Sequence, residues 1–378
     1  MIKDPIIWRI LLAAAIILFI SFGVLSLWEE NELRREVGQM IITGFRGTEA
    51  ESNSAVIRMI REVQVGGVIL FDLDMPSGRA FPRNITGPAQ TKKLIADLKK
   101  YSKTPLFVAV DAEGGKVNRL KPEYGFADIP SAKEVGDKND DAYTRAVAEK
   151  LFGELADLGF NMDFAPSVDV NEDPDNPIIG RLGRSFSKDP EIVAKDAAIY
   201  VESAKKMNIV SVLKHFPGHG SSAEDSHLGL VDVTATYKEE ELIPYEILIR
   251  EGKADCVMIA HIMDRRIDKD RPATLSSSFI KGILREKLHY EGVVISDDIQ
   301  MGAISSRYTL AESVAMAVNA GCDIILAGNN GKEYDEILPY KVRDAILQGV
   351  KNGTVPRERI REASGRIGVL KKNVIKTE

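Results

Sequence analysis

The sequence predicts an α/β fold: a single (β/α)8 TIM-type barrel preceded by an N-terminal transmembrane helix. Three observations carry this. From Glu29 onward, eight short apolar runs alternate with longer segments of helical period, the pattern of parallel strands joined by crossover helices. Eight such units over roughly 350 residues fit one barrel, a fold that spans about 200 to over 400. Ahead of them stands one charge-free apolar block, residues 10–28. A doubly wound open sheet is the topological alternative. Length alone would suggest two or three domains for 378 residues, at about 150 residues each. The unbroken rhythm, with no Pro/Gly/Ser linker, argues for one.

The elements follow in chain order. Residues 1–9 form a short tail with Lys3 and Arg9. The block from Ile10 to Trp28 then reads ILLAAAIILFISFGVLSLW, and Glu29, Glu30 and Glu32 follow it. A bilayer core takes about 20 apolar residues in a helix, so the block is expected to be an uncleaved signal anchor. Basic residues before it put the tail in the cytoplasm and the remaining chain outside. Ser21 and Gly23 leave a cleavage site open, in which case the protein would be secreted. The domain from 29 to 378 carries the strand candidates Met40–Phe45, Gly67–Phe71, Leu106–Asp111, Met162–Asp169, Ile209–Lys214, Val257–His261, Gly292–Asp297 and Cys322–Ala327. Between them lie the helix candidates Asp141–Leu158, Asp189–Met207, Lys238–Glu251, Ser276–Leu288, Leu310–Ala320, Tyr334–Lys351 and Arg357–Lys372. In the first of these Ala146, Val147, Leu151, Phe152 and Leu155 share a face.

Composition excludes several classes. With 44% hydrophobic and 28% charged residues the chain is neither disordered nor collagen-like. A net charge of −6 argues against a nucleic-acid partner. Cys256 and Cys322 sit in separate apolar runs. They read as free core thiols, not as a disulfide or a zinc pair.

In such a barrel the chemistry lies at the carboxyl ends of the strands. There the third run ends in Asp111, followed by Glu113. The fourth carries Asp163 and Asp169, the fifth ends in Lys214-His215, the sixth in His261 and the seventh in Asp297-Asp298. Charges gathered at one rim need partners, because desolvating them alone is costly. They therefore read as a polar pocket. The segment KHFPGHGSSAEDSHLGL, Lys214–Leu230, holds three of the five histidines. His215, His219 and His227 match no usual metal spacing, and no HExxH exists. No metal and no cofactor is expected. Asp225 lies two residues before His227, so in extended chain both side chains face one way. A carboxylate beside an imidazole orients it and raises its proton affinity, as a proton donor requires. At Asp297-Asp298 one carboxylate can point inward and act as a nucleophile. The spacing does not choose between them, although Asp298 suits a helix N-cap.

These motifs, in this order, resemble the family 3 glycoside hydrolases, specifically the β-N-acetylglucosaminidase branch. The resemblance covers about Arg35 to Leu370. Its carriers are VGQMIITGF (37–45), GGVILF (66–71), DAEGGKVNRL (111–120), NMDFAPSVDV (161–170), the stretch 176–186, KHFPGHG (214–220), Asp-Ser-His (225–227), AHIMDRRIDKDRPATLS (260–276) and SDD (296–298). It implies a retaining, two-step displacement with Asp297 as nucleophile and His227, paired with Asp225, as acid/base. By the same resemblance Asp111, Arg119, Arg184, Lys214 and His215 bind the sugar. The implied substrate is a terminal β-linked GlcNAc on a peptidoglycan fragment or other short glycoside. The other partners expected are the membrane, through the N-terminal helix, and no second copy of the chain, that is, a monomer. Lys116 stands where the family usually has Arg, and Arg181-Leu182-Gly183 lengthens one motif, making Arg184 a choice over Arg181. Asp72–Pro88 is an insertion after the second strand. No second α/β domain follows in this sequence, which favours this branch over β-glucosidases that take their acid from one. A β-glucosidase or β-xylosidase, a GlcNAc phosphorylase and a non-catalytic, membrane-tethered glycan-binding module are the alternatives.

Overall fold

A computed structural model describes residues 28–225 and 229–375. The expected anchor, apart from Trp28, lies outside the described residues, as do the cytoplasmic tail and His227. Among the described residues no helix is long and apolar enough to cross a membrane.

Eight parallel strands build the domain: β1 Ile41–Gly44, β2 Gly67–Ile69, β3 Phe107–Val110, β4 Met162–Asp163, β5 Val210–Phe216, β6 Cys256–Ile259, β7 Val293–Ser296 and β8 Ile325–Ala327. Each pairs with its neighbour in sequence order from β1 to β7, and β8 pairs with β1. The β7–β8 seam closes the ring through a parallel bridge between Ile295 and Ile324. The amide of Ser296 donates to Ile324 O at 3.0 Å, and that of Ile299 to Leu326 O at 3.0 Å. The barrel is therefore eight strands and parallel throughout, not an open doubly wound sheet. All eight apolar runs contain a strand. Strands buried on both faces read as continuous apolar stretches, and every residue of β1, β3 and β6 is buried.

A main helix follows each strand: α1 Ala55–Glu62, α2 Pro88–Tyr101, α3 Asp141–Leu158, α4 Pro190–Lys206, α5 Ile243–Arg250, α6 Ser278–Lys287, α7 Leu310–Ala320 and α8 Leu338–Lys351, with short helical turns besides at Ala132–Gly136 and Gly302–Ser305. Helix α9, Arg357–Val374, comes after α8. A further helix over residues 28–39 leads into β1. The helices and strands enclose a single apolar cluster. Cys256 and Cys322 are both buried within it and free.

Three details differ from expectation. The segment expected to be helical from Tyr334 starts only at Leu338, because Asn329 and Asp335 tie the preceding turn through side-chain hydrogen bonds. Ser276–Leu288 winds as a wider π-helix, with the Leu288 amide reaching Ile283 O at 2.9 Å. This brings Phe279 and Leu284, five residues apart, into the core together. Helices α1 and α2 were not among the anticipated elements.

Candidate active site

Because the strands are parallel, their carboxyl ends share one rim. Asp111 leaves β3 there, Lys214 and His215 lie in the last part of β5, and Asp297 follows β7. The rim carries a closed charge network. The Arg184 guanidinium forks onto Glu113, with Nε to Oε2 at 2.8 Å and Nη2 to Oε1 at 2.7 Å. Lys214 Nζ bridges the two acids after β3, at 2.7 Å from Glu113 and 3.0 Å from Asp111. Arg119 reaches the other oxygen of Asp111 at 3.4 Å and lies over the Phe71 ring. Exposure separates the roles. The Glu113, Lys214 and Arg184 side chains are 4%, 3% and 9% accessible, whereas Asp111 and Arg119 keep 17% and 33%. The buried part is a frame, and Asp111 with Arg119 is the face a ligand can meet.

The electrostatics follow from this pairing. Burial would raise the Glu113 carboxyl, but Arg184 and Lys214 outweigh it and hold the group at about 2. Asp111 is lowered in the same way, burial being overcome by Lys214 and Arg119. Lys214 is raised because Glu113 and Asp111 outweigh its desolvation. Beneath them burial pushes the Asp163 carboxyl on β4 well above the usual carboxylate range. Its Oδ1 accepts the Ala112 amide at 3.0 Å, which fixes the peptide between Asp111 and Glu113.

Asp169 forms the second anchor. Oδ1 accepts the amides of His215 and His219, and Oδ2 accepts the Ser167 hydroxyl at 2.9 Å and His215 Nδ1 at 2.7 Å. These donors override the burial that would raise the group, so it stays ionised. On its far side His215 Nε2 lies 3.1 Å from Arg184 Nη2. A guanidinium only donates, so Nε2 accepts and the proton sits on Nδ1, facing Asp169. Burial lowers His219 to about 4, leaving it a neutral ring bonded to Ser222 Oγ.

The choice between Asp297 and Asp298 narrows on backbone contacts. Asp298 Oδ1 accepts the amides of Gln300 and Gly328, both at 3.1 Å, so this carboxylate serves the turns after β7 and β8. Asp297 is half-buried at the strand end, and its Oδ1 accepts the Asp298 amide at 2.7 Å. His261 backs the pair: Nε2 meets Asp298 O at 2.9 Å and Nδ1 meets Thr274 Oγ1 at 2.7 Å. Asp225 is half-buried in the β5–α5 loop; its expected partner His227 lies outside the described residues.

The fold thus brings Asp111, Arg119, Arg184, Lys214 and His215 into one network. Arg181 stands apart from it among the described residues: its side chain is 64% accessible and pairs with Asp175, at 3.6 Å. Arg119 pairs with Asp111, since Glu113 is taken up by Arg184 and Lys214. Sequence reasoning noted Glu113 and Asp169 without giving them a role. Their partners lie 71 and 46 residues away, and no local spacing signals such pairs.

Carboxylates, guanidinium groups and a tautomer-fixed imidazole thus share one rim of a parallel eight-stranded (β/α)8 barrel. Residues 32–370 match the model of the glycosyl hydrolase family 3 N-terminal domain, and the chain belongs to that family. It is 32% identical over 337 residues to beta-hexosaminidase A of Pseudoalteromonas piscicida, covering 83% of this chain and 54% of the relative. The chain thus spans about half the length of that relative. It is 33% identical over 285 residues to the beta-hexosaminidase of Photobacterium profundum, covering 74% and 79%. Among solved structures, the family 3 beta-N-acetylglucosaminidase of Paenibacillus sp. FPU-7 superposes with a TM-score of 0.82 at 35% identity, over 91% of this chain and 63% of that one. The beta-N-acetylhexosaminidase of Beutenbergia cavernae does so with 0.79 at 28%, over 90% and 98%.

Proposed function

We propose that the chain is a retaining exo-β-N-acetylglucosaminidase, tethered to the membrane by residues 10–28 and facing the periplasm or cell exterior. It removes terminal β-linked GlcNAc from peptidoglycan fragments or other short glycosides. The observation that carries this reading is the Asp111–Lys214–Glu113–Arg184–His215–Asp169 network on the same rim as Asp297. The names of the relatives point the same way.

Asp111, held by Lys214, accepts from sugar hydroxyls while Arg119 donates to ring substituents, which holds the anomeric carbon for in-line attack. Arg184 and His215 keep that face rigid. His227, oriented by Asp225, protonates the leaving oxygen. Asp297 attacks the anomeric carbon, the C–O bond to the aglycone breaks, and a glycosyl-enzyme forms. His227, now neutral, takes a proton from water, which displaces Asp297 and restores it. Most glycosidases give the proton-transfer role to a second carboxylic acid; an imidazole performs the same step near neutral pH.

The test is turnover of an aryl β-GlcNAc glycoside, with the matching aryl glucoside alongside. Asp297→Ala should abolish release of GlcNAc. His227→Ala should lower kcat by about 10²- to 10⁴-fold, and the first-formed sugar should be the β-anomer by NMR. Full activity in either variant overturns the roles. Glycan binding with no turnover of any β-glycoside replaces the enzyme reading with that of a binding module.

A further inference from the structure

The segment Pro217–Ser222 begins the β5–α5 loop and leads to Asp225 three residues later. Its two glycines are each pressed against a neighbour across the loop root. A Cβ on Gly218, whose φ is +134°, would sit 2.5 Å from the Glu241 side chain. One on Gly220 would fall 1.7 Å from Val170 O and 3.3 Å from Glu241 Oε2. Only residues without a side chain let the loop root lie this close. The root is also tied by polar groups. Glu241 Oε2 accepts the Gly220 amide at 2.7 Å. Tyr237 Oη donates to Pro217 O at 3.0 Å. Asn176 Nδ2 donates to His219 O at 2.7 Å and to Gly220 O at 3.1 Å.

Glu241 is the acid among these ties. It is fully buried in the turn before α5, at the far end of the loop whose start it grips. Its Oε1 is buried as well. Burying a carboxyl is costly unless it is held by donors. No sugar-binding group uses it, and the site network is complete without it.

We propose that Glu241 is a positioning residue: by gripping Gly220 and packing against Gly218 it fixes where the β5–α5 loop leaves the barrel, and so where the acid/base arm stands. This rests on the reading of Asp225 and His227 given above. The loop is pinned at both ends by one side chain, which sets its span without touching the substrate.

The consequence is specific to proton donation. Aryl glycosides with acidic leaving groups depart without help, whereas those with basic leaving groups need the acid. The experiment measures kcat/KM for a graded series, from 2,4-dinitrophenyl through 4-nitrophenyl to phenyl β-GlcNAc. The enzymes are wild type, Glu241→Ala, Glu241→Gln, Glu241→Asp and His227→Ala. Glu241→Ala should lose roughly tenfold to hundredfold on the phenyl glycoside and little on the dinitrophenyl one. Glu241→Gln, which keeps an acceptor for Gly220, should return close to wild type. Glu241→Asp, shorter by one methylene, should fall between and replaces the alanine variant if that fails to fold. His227→Ala should show the same trend, steeper. A steep His227→Ala series beside Glu241 variants that lose equally on every substrate, or lose nothing, overturns this proposal alone. A flat His227→Ala series overturns the acid/base reading and this proposal with it.

Discussion

Two buried acids in this protein behave oppositely because of what surrounds them. Asp169 receives hydrogen bonds on both oxygens and stays ionised. Glu241 accepts a backbone amide, that of Gly220, on one oxygen. Its neighbours Asp169, Glu172, Tyr237 and Tyr245 offer no positive charge, and burial raises it from 4.5 to about 7 against the pull of Ser221 and Gly220. Between pH 4.5 and 7 the folded form therefore holds more protons than the unfolded chain. The stabilising contribution is complete below about 4.5 and is lost as pH rises through about 7, an effect of about 3 kcal/mol. Glu113 has the opposite sign: held at about 2, it contributes above 4.5 and loses that contribution as pH falls through 2. Glu241→Gln does not titrate, so the wild-type Tm minus the variant Tm should grow as pH is lowered from 7.5 to 4.5. A difference that stays constant across that range would show that the acid is not buried in solution. These residues also mark what the sequence could not tell. Asp111, Lys214, His215 and Asp297 were legible because each ends an apolar run, where a charge is conspicuous. Glu241 sits in the run Glu239–Glu241, which reads as a solvated helix face. Only the fold turns one of the three inward.

At the scale of elements, legibility followed length and capping. Helices α3 and α7 run long enough for an apolar period to appear, and each starts at a side chain that caps it, Asp140 and Thr309. Helix α1 has eight residues and no side-chain cap from Ser54. A short element held by burial of Val56, Ile57, Met59 and Ile60 leaves little periodic signal. Helix α6 was legible from its Ser-rich start but its π winding was not, because that is set by backbone bonds such as Leu288 N to Ile283 O. The capping argument can be checked at α7. Thr309 Oγ1 accepts the Glu312 amide at 3.3 Å, and the Glu312 carboxylate accepts the Thr309 amide at 2.9 Å. Thr309→Ala removes one half of this capping box and should cost about 1 kcal/mol in chemical denaturation. Amide exchange should rise over the first turn, Leu310–Glu312. Unchanged exchange there would mean that the helix start is held by packing alone.

At the scale of the whole molecule the barrel divides chemistry from closure, and the β7–β8 seam joins the two. Its upper end carries Asp297. Side chains supplement the backbone ladder: at its lower end Asp323 Oδ2 accepts the Val294 amide, and at its upper end Ser296 Oγ accepts the Leu326 amide, both at 3.0 Å. Asp323 is fully buried and draws in Arg285 at 2.9 Å, Arg359, and Arg366 at 3.2 Å. Arg359 and Arg366 belong to α9, so the last helix is bolted to the ring where it closes. Removing the acid leaves the largely buried Arg359 and Arg285 without their partner, which for a buried pair costs about 3–5 kcal/mol. Asp323→Ala should therefore lower Tm substantially and speed exchange of the Val294 amide. Asp323→Asn keeps an acceptor for that amide and should cost less. The upper seam is held independently by Ser296 N to Ile324 O and Ile299 N to Leu326 O. At a temperature where the variant is folded, kcat/KM on an aryl β-GlcNAc glycoside should thus stay within about twofold of wild type, as for sites that do not share partners. If the folded variant instead loses activity on the scale of Asp297→Ala, the seam transmits its lower end to the reacting carboxylate, and closure and chemistry in this barrel are one structure.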